Sequence, residues 1–163
     1  MKTSESAIAG NLERLKELAP AGYALGFHIS FTTPRFMFQT YPKEWLDHYN
    51  RNGLIMKDPT VKWGFDERGT LRWSEMEDPY DVLTTAAEFG LAHGMTVATE
   101  DGGSRSIGGF ARSDRPFEDA EMAEVEALVL ALHEATHHTA ELDEETVNHL
   151  RRMSILVTHP GDS

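Results

Sequence analysis

Two groups of residues in this chain have types and spacings that could do chemistry. Tyr41, Trp45 and Tyr49 recur at intervals of four, and Asp58, Thr60 and Trp73 follow. An interval of four places the first three side chains on one side of a helical turn and its lead-in, so they can face one cavity. Between them the six offer hydroxyls, indole N–H groups and one carboxylate, the kind of sparse polar equipment with which a mostly apolar pocket fixes a small ligand. The second group is His133-Glu134-Ala135-Thr136-His137, which matches H-E-x-x-H. Two imidazoles one helical turn apart can hold zinc, and the glutamate can act as base on a zinc-bound water. Asp143 stands where the extended form of that motif has its third ligand, but Ala140 replaces the glycine at which such a helix turns. The amphipathic phase of the helix also sets both histidines at the flank of its apolar stripe, outside any cleft.

Each residue has a plainer reading. An aromatic taken alone is usually core, Asp58 before Pro59 is a helix N-cap, and Gly94 reads as the glycine that ends a helix. The pairs Gly102-Gly103 and Gly108-Gly109 lack the Lys-Ser or Lys-Thr of a phosphate loop and read as a hairpin.

The elements that must position these residues follow from periodicity. A helix is predicted over 6–18, with Ile8, Leu12, Leu15 and Leu18 on one face and Pro20 as its stop. Segments 22–31 and 36–41 read as a β-hairpin around Thr33-Pro34. A short helix is predicted over 42–50, and a second from Asp58-Pro59 to Asp66, ended by Gly69. Asp78-Pro79 repeats that cap signal and opens a helix through Val82, Ala86, Phe89 and Leu91 to Gly94. Segments 95–99 and 106–112 form a second hairpin around Asp101-Gly102-Gly103, and a long helix runs from 113 or 114 to about 138, with Met122, Val125, Val129 and Leu132 as its stripe. The order implies an α+β fold, an α-β-α sandwich whose central antiparallel sheet is flanked by helices.

Composition bounds the function. A chain of 163 residues suits one domain with a substantial core, and 40% hydrophobic with 26% charged residues is globular rather than disordered. Without cysteine there are no disulfides and no thiolate zinc sites, and the absence of an apolar run long enough to span a bilayer or form a secretory signal implies a cytoplasmic protein that binds no membrane. The net charge of −12, with Arg151-Arg152 the only adjacent basic pair, argues against direct binding of nucleic acid by this chain. The acidic runs 118–126 and 141–145 read as solvated helix faces.

Taken in order, Tyr41-Pro-Lys-Glu-Trp45-Leu-Asp-His-Tyr49, Asp58-Pro59-Thr60, Trp73 and Gly94-Met-Thr resemble the autoinducer-binding domain of LuxR-type quorum-sensing transcription regulators. The resemblance runs to about Ala140, which makes 1–140 the autoinducer-binding domain and 141–163 a C-terminal tail without a DNA-binding domain. It implies a receptor, not an enzyme, with no cofactor and with an N-acyl homoserine lactone or related acylated molecule as ligand. Such a ligand is an apolar chain with one amide and one ester ring, so a buried site must satisfy an N–H and two carbonyls. Asp58 suits the amide N–H, Tyr41 the amide carbonyl and Trp45 the lactone carbonyl. Tyr49 and Trp73 serve as walls, and Thr60 orients the carboxylate or touches the amide. The family often adds a hydroxyl from the last strand. An ungapped count from Gly94 puts Phe110 there, a shift of one puts Gly109, and Ser106 is the other candidate. Regulation of transcription would be indirect, through inactive heterodimers with a full-length relative, through sequestering signal, or as one excised domain of a longer regulator, and the expected assembly is a homodimer or a heterodimer with a full-length LuxR-type regulator. A zinc-dependent hydrolase built on His133, Glu134 and His137 is the rival reading, and a ligand-free interaction module of the same fold is the third.

Overall fold

The computed structural model describes residues 2–30 and 34–137. The first helix, α1 (Lys2–Leu18), starts before position 6, and Ile8, Leu12, Leu15 and Leu18 form its buried stripe as predicted. The strands β1 (Gly22–Ile29) and β2 (Phe36–Gln39) pair antiparallel, with Leu25 opposite Phe38. Two helices follow, α2 (Lys43–Arg51) and α3 (Pro59–Asp66), with a 3-10 turn over Leu54–Met56 between them. Asp58 is the N-cap of α3 and Pro59 its first residue, a position where the missing N–H of proline costs nothing.

Gly69 opens a strand rather than only closing the helix. The segment β3 (Gly69–Arg72) was not legible in the sequence, being four half-buried residues long, and it pairs with β4 (His93–Asp101). The helix predicted over 78–94 shortens to α4 (Val82–Glu88). Its proline does not sit at the first helical position. Instead the Asp78 carboxylate accepts from the backbone N–H groups of Val82, Leu83 and Thr84 across a turn in which Asp81 takes a left-handed φ of 55°. A two-residue turn at Gly102-Gly103 joins β4 to β5 (Ser104–Arg112). The last described helix, α5 (Asp119–His137), begins five residues or so after the expected start. Glu121 reaches back to the N–H of Glu118, half of a capping box, while Phe117 is buried just outside the helix.

All five strands form one antiparallel sheet in the order β2-β1-β5-β4-β3. Its two faces differ in side-chain size. Toward α1 and α5 point Tyr23, Leu25, Phe27, Phe36, Phe38, Met95, Val97 and Phe110, which with Val125, Val129 and Leu132 make the larger core. On the other face the same strands present mainly small residues, including Ala24, Gly26, Gly94, Ala98 and Gly109. The helices α2 to α4 cover that face and form a second core of Trp45, Leu54, Trp73, Val82, Ala86, Leu91 and Ala111. This is the expected α-β-α sandwich.

Candidate functional site

Small floor residues and large aromatic walls leave a cavity of about 280 Å³ between the sheet and the α2–α4 layer. Tyr41, Trp45, Tyr49, Asp58, Thr60 and Trp73 all line it. Tyr41 leads into α2, and Trp45 and Tyr49 follow at one-turn intervals on the helix's inner side. The far wall comes from Val61 and Phe65 of α3, Ile55 before it, and Val82, Leu83 and Ala86 of α4.

Asp58 divides its two oxygens. Oδ1 accepts from the backbone N–H of Thr60 at 2.9 Å and from the Thr60 hydroxyl at 2.6 Å, which is the cap. Oδ2 accepts from the Tyr49 hydroxyl at 2.8 Å. Capping and facing the cavity therefore coexist, and Thr60 orients the carboxylate. Tyr49 is more than the wall expected of it, since it links α2 to the head of α3. The Trp73 indole N–H donates to the Thr96 hydroxyl at 3.0 Å, which fixes its ring as a wall. Those are the hydrogen bonds of the set; among the described residues the Tyr41 hydroxyl and the Trp45 indole N–H donate to no protein group. Burial raises the pKa of both Tyr41 and Tyr49, and the nearby Asp58 carboxylate raises it further. Both phenols thus stay protonated and remain donors.

Gly94 is not a helix terminus. It lies in β4 beneath the indole of Trp73, where an added Cβ would fall 1.9 Å from Trp73 Cδ2. Sequence reasoning missed this because its cause is a packing partner 21 positions away. The last-strand question is settled by register. Phe110 faces the larger core and stacks on Tyr23, and Ser106 lies on that same face against α5. Gly109 is the residue over the cavity, so no hydroxyl enters from that position.

His133 also departs from expectation. Rather than flanking the stripe of α5 it is buried under the sheet, with Nδ1 2.7 Å from Ser106 Oγ and its ring 4.5 Å from that of His28. Glu134 is exposed. The side chain of His137, and His138, Ala140, Asp143, the tail 141–163 and its basic pair, lie outside the described residues. No group of three His, Cys, Asp or Glu residues among those described is placed to hold a metal ion. No described helix is long and apolar enough to cross a membrane.

An antiparallel sheet with helices on both faces, holding an aromatic-walled cavity with a few convergent donors, has the architecture of a small-molecule-binding receptor domain. The autoinducer binding domain family model matches residues 20–140, and the chain belongs to that family, the signal-sensing domain of LuxR-type quorum-sensing regulators. Domains of this family are receptors rather than enzymes and take a small-molecule ligand rather than a cofactor. The chain is 29% identical over 94 residues to the transcriptional activator protein SolR of Ralstonia nicotianae, an alignment covering 56% of this chain and 40% of SolR. It thus spans about two fifths of that relative's length. Among solved structures, Escherichia coli SdiA superposes with a TM-score of 0.64 at 19% identity, over 100% of this chain and 74% of SdiA. SdiA in complex with octanoyl-rac-glycerol gives 0.63 at 18%, over 100% and 72%. CepR2 of Burkholderia cenocepacia, described as an N-acylhomoserine lactone dependent LuxR family transcription factor, gives 0.54 at 18% identity, over 82% of this chain and 93% of CepR2. At these identities the structural likeness shows the fold.

Proposed function

We propose that this domain binds an N-acyl homoserine lactone, or a related small acylated ligand, in the cavity walled by Tyr41, Trp45, Tyr49, Asp58, Thr60 and Trp73. One observation carries the reading: those six side chains surround a single cavity in which a phenol and an indole N–H have no protein acceptor. A carboxylate oxygen has two acceptor sites, so Asp58 Oδ2 can take the ligand amide N–H while keeping the Tyr49 hydroxyl. Tyr41 then donates to the amide carbonyl and Trp45 to the lactone carbonyl, and Trp73 packs beside the ring. At about 280 Å³ the cavity sits at the small end of the range for ligand pockets, which favours a short or medium acyl chain. The lactone dependence named for CepR2 and the octanoyl glyceride held by SdiA support an acylated ligand whose headgroup is open. The open cavity also speaks against a ligand-free module filled by its own aromatics.

The same reading has the protein act in the cytoplasm, on transcription indirectly, for example by heterodimerising with a full-length LuxR-type regulator. The test is to express the protein with a mixed pool of acyl lactones, extract it with organic solvent and identify what is retained by mass spectrometry. One lactone should co-purify in stoichiometric amount and raise the thermal midpoint, by the equivalent of about 2.7 kcal/mol at a hundred-fold excess over Kd. Retention of none, with no thermal shift across a full chain-length panel, would overturn the proposal.

A further inference from the structure

The cavity floor carries one polar side chain with no role in the site described above. Of the sheet residues that line the cavity, Ala24, Gly26, Ile29, Met37, Ile107 and Gly109 have no polar side-chain group, and Gln39 is the exception. Among the described residues its carboxamide makes no hydrogen bond to protein. Register places it. Gln39 pairs with Ala24, and Ala24 pairs with Gly109, so the three form one rung across β2, β1 and β5. Because Ala24 and Gly109 carry almost no side chain, nothing from that rung stands between the Gln39 carboxamide and the space above Gly109. A glutamine is long enough to cross one strand spacing, roughly 4.8 Å.

That space is also where the Tyr41 hydroxyl lies. Tyr41 is rooted two rungs away, beside Gly22, but its hydroxyl reaches to 3.0 Å from the position a Cβ would take on Gly109. An acyl carbonyl bonded to Tyr41 would therefore sit over the rung that Gln39 terminates. The next carbons of the chain would leave toward the apolar end of the cavity, at Met37, Ile107, Val61 and Phe65. They would pass Gln39 first.

We infer that Gln39 is a specificity-determining residue, recognising an oxygen substituent two carbons beyond the amide carbonyl of the acylated ligand. The inference rests on the proposed function. A carboxamide both donates and accepts, so it can serve a ketone as donor and a hydroxyl as either partner. With no hydroxyl entering from Gly109, it is the sheet's own source of polar contact to the chain. Facing an unsubstituted methylene, the half-buried carboxamide gains no partner from the ligand, so the preference rests on the one hydrogen bond to the oxygen substituent.

The experiment expresses the protein with an equimolar mixture of N-octanoyl, 3-oxo-octanoyl and 3-hydroxyoctanoyl homoserine lactone and measures the retained ratio by mass spectrometry. The wild type should be enriched in the oxygenated lactones. Gln39→Met, which keeps length and flexibility without the amide, should lower the ratio of oxygenated to plain ligand about three- to ten-fold, the worth of one neutral hydrogen bond. Gln39→Leu should do the same, and thermal midpoints of both variants establish that they fold. Retention of the three lactones in input proportion by the wild type, or an unchanged preference in both variants, overturns the inference and leaves the proposed function standing. Retention of no lactone by the wild type overturns both.

Discussion

At the scale of single residues the site turns on Asp58, the one charged group in the proposed polar contacts. A hydrogen bond to a charged partner contributes roughly 1.5 to 3 kcal/mol against about 0.5 to 1.5 for a neutral one. Asp58→Asn keeps an oxygen for the cap but can set an amide N–H against the ligand's own. We expect a loss of about ten- to a hundred-fold in lactone affinity, with a drop of about 1 kcal/mol or less in unliganded stability. Titration of the variant beside its unliganded melting curve separates the two roles; wild-type affinity with lowered stability would reduce Asp58 to a cap. Gly94→Ala tests the close approach of Trp73. Its methyl would occupy the indole's place, so the ring must move or the strand must shift, at about 1 to 3 kcal/mol or more. A lowered melting temperature with altered tryptophan fluorescence should result, and Trp73→Phe in the same background should recover part of the stability. Tyr41, Trp45 and Tyr49 were legible because a spacing of four brings them to one side of a helix, whereas Asp58, Thr60 and Trp73 stood out only through the ordered resemblance to the autoinducer-binding domain. The Tyr49 to Asp58 bond was not, since it depends on the angle between α2 and α3, which no local pattern encodes.

Among the elements, α3 is held at both ends. Asp58 caps its start, and Arg105 from β5 donates to the carbonyls of Gly64 and Glu67 at 2.6 and 2.7 Å, where the helix end has unpaired acceptors. Arg105→Met keeps the aliphatic stem and removes both bonds. A loss of about 1.5 to 3 kcal/mol is expected, read as a lower denaturant midpoint, with weaker ligand binding because Asp58 rides on the same helix. The start of α5 is set by charge. The Arg115 guanidinium beside Glu121 holds its carboxyl down to about 2, well below its ordinary value. A depressed carboxylate contributes stability that is whole above the unfolded pKa, near 4.3, and is lost as pH falls through the folded value. Glu121→Gln should therefore melt below wild type at neutral pH, and the gap should close between about pH 4 and pH 2. A gap independent of pH would show that the contact acts by packing alone. Long helices with a regular apolar stripe, such as α1 and α5, were legible; the starts of α4 and α5 were not, because Asp78 and Glu121 satisfy backbone groups through side chains that a cap pattern read too early.

For the whole molecule, layer order was legible but strand order was not. The two hairpins announce themselves through turns, yet joining them requires β1 to pair with β5, more than 70 positions along the chain, and inserts β3 at the far edge. No short pattern reports a pairing of that range. The resulting sheet separates two sets of side chains that share only a backbone, one set large and interlocked, the other small and facing the cavity. That separation makes the floor of the cavity nearly independent of the larger core on the opposite face of the sheet. Met37→Phe, on the cavity floor at its apolar end, should shorten the longest acyl chain accepted, while Leu15→Ala, in the opposite core, should cost about 2 to 5 kcal/mol of stability. With no shared contacts the two changes should add to within about 0.5 kcal/mol in the double variant, and neither should alter the other's ligand preference. A chain built this way can change what lies against its ligand by single substitutions on the cavity floor while the larger core on the other face keeps its packing.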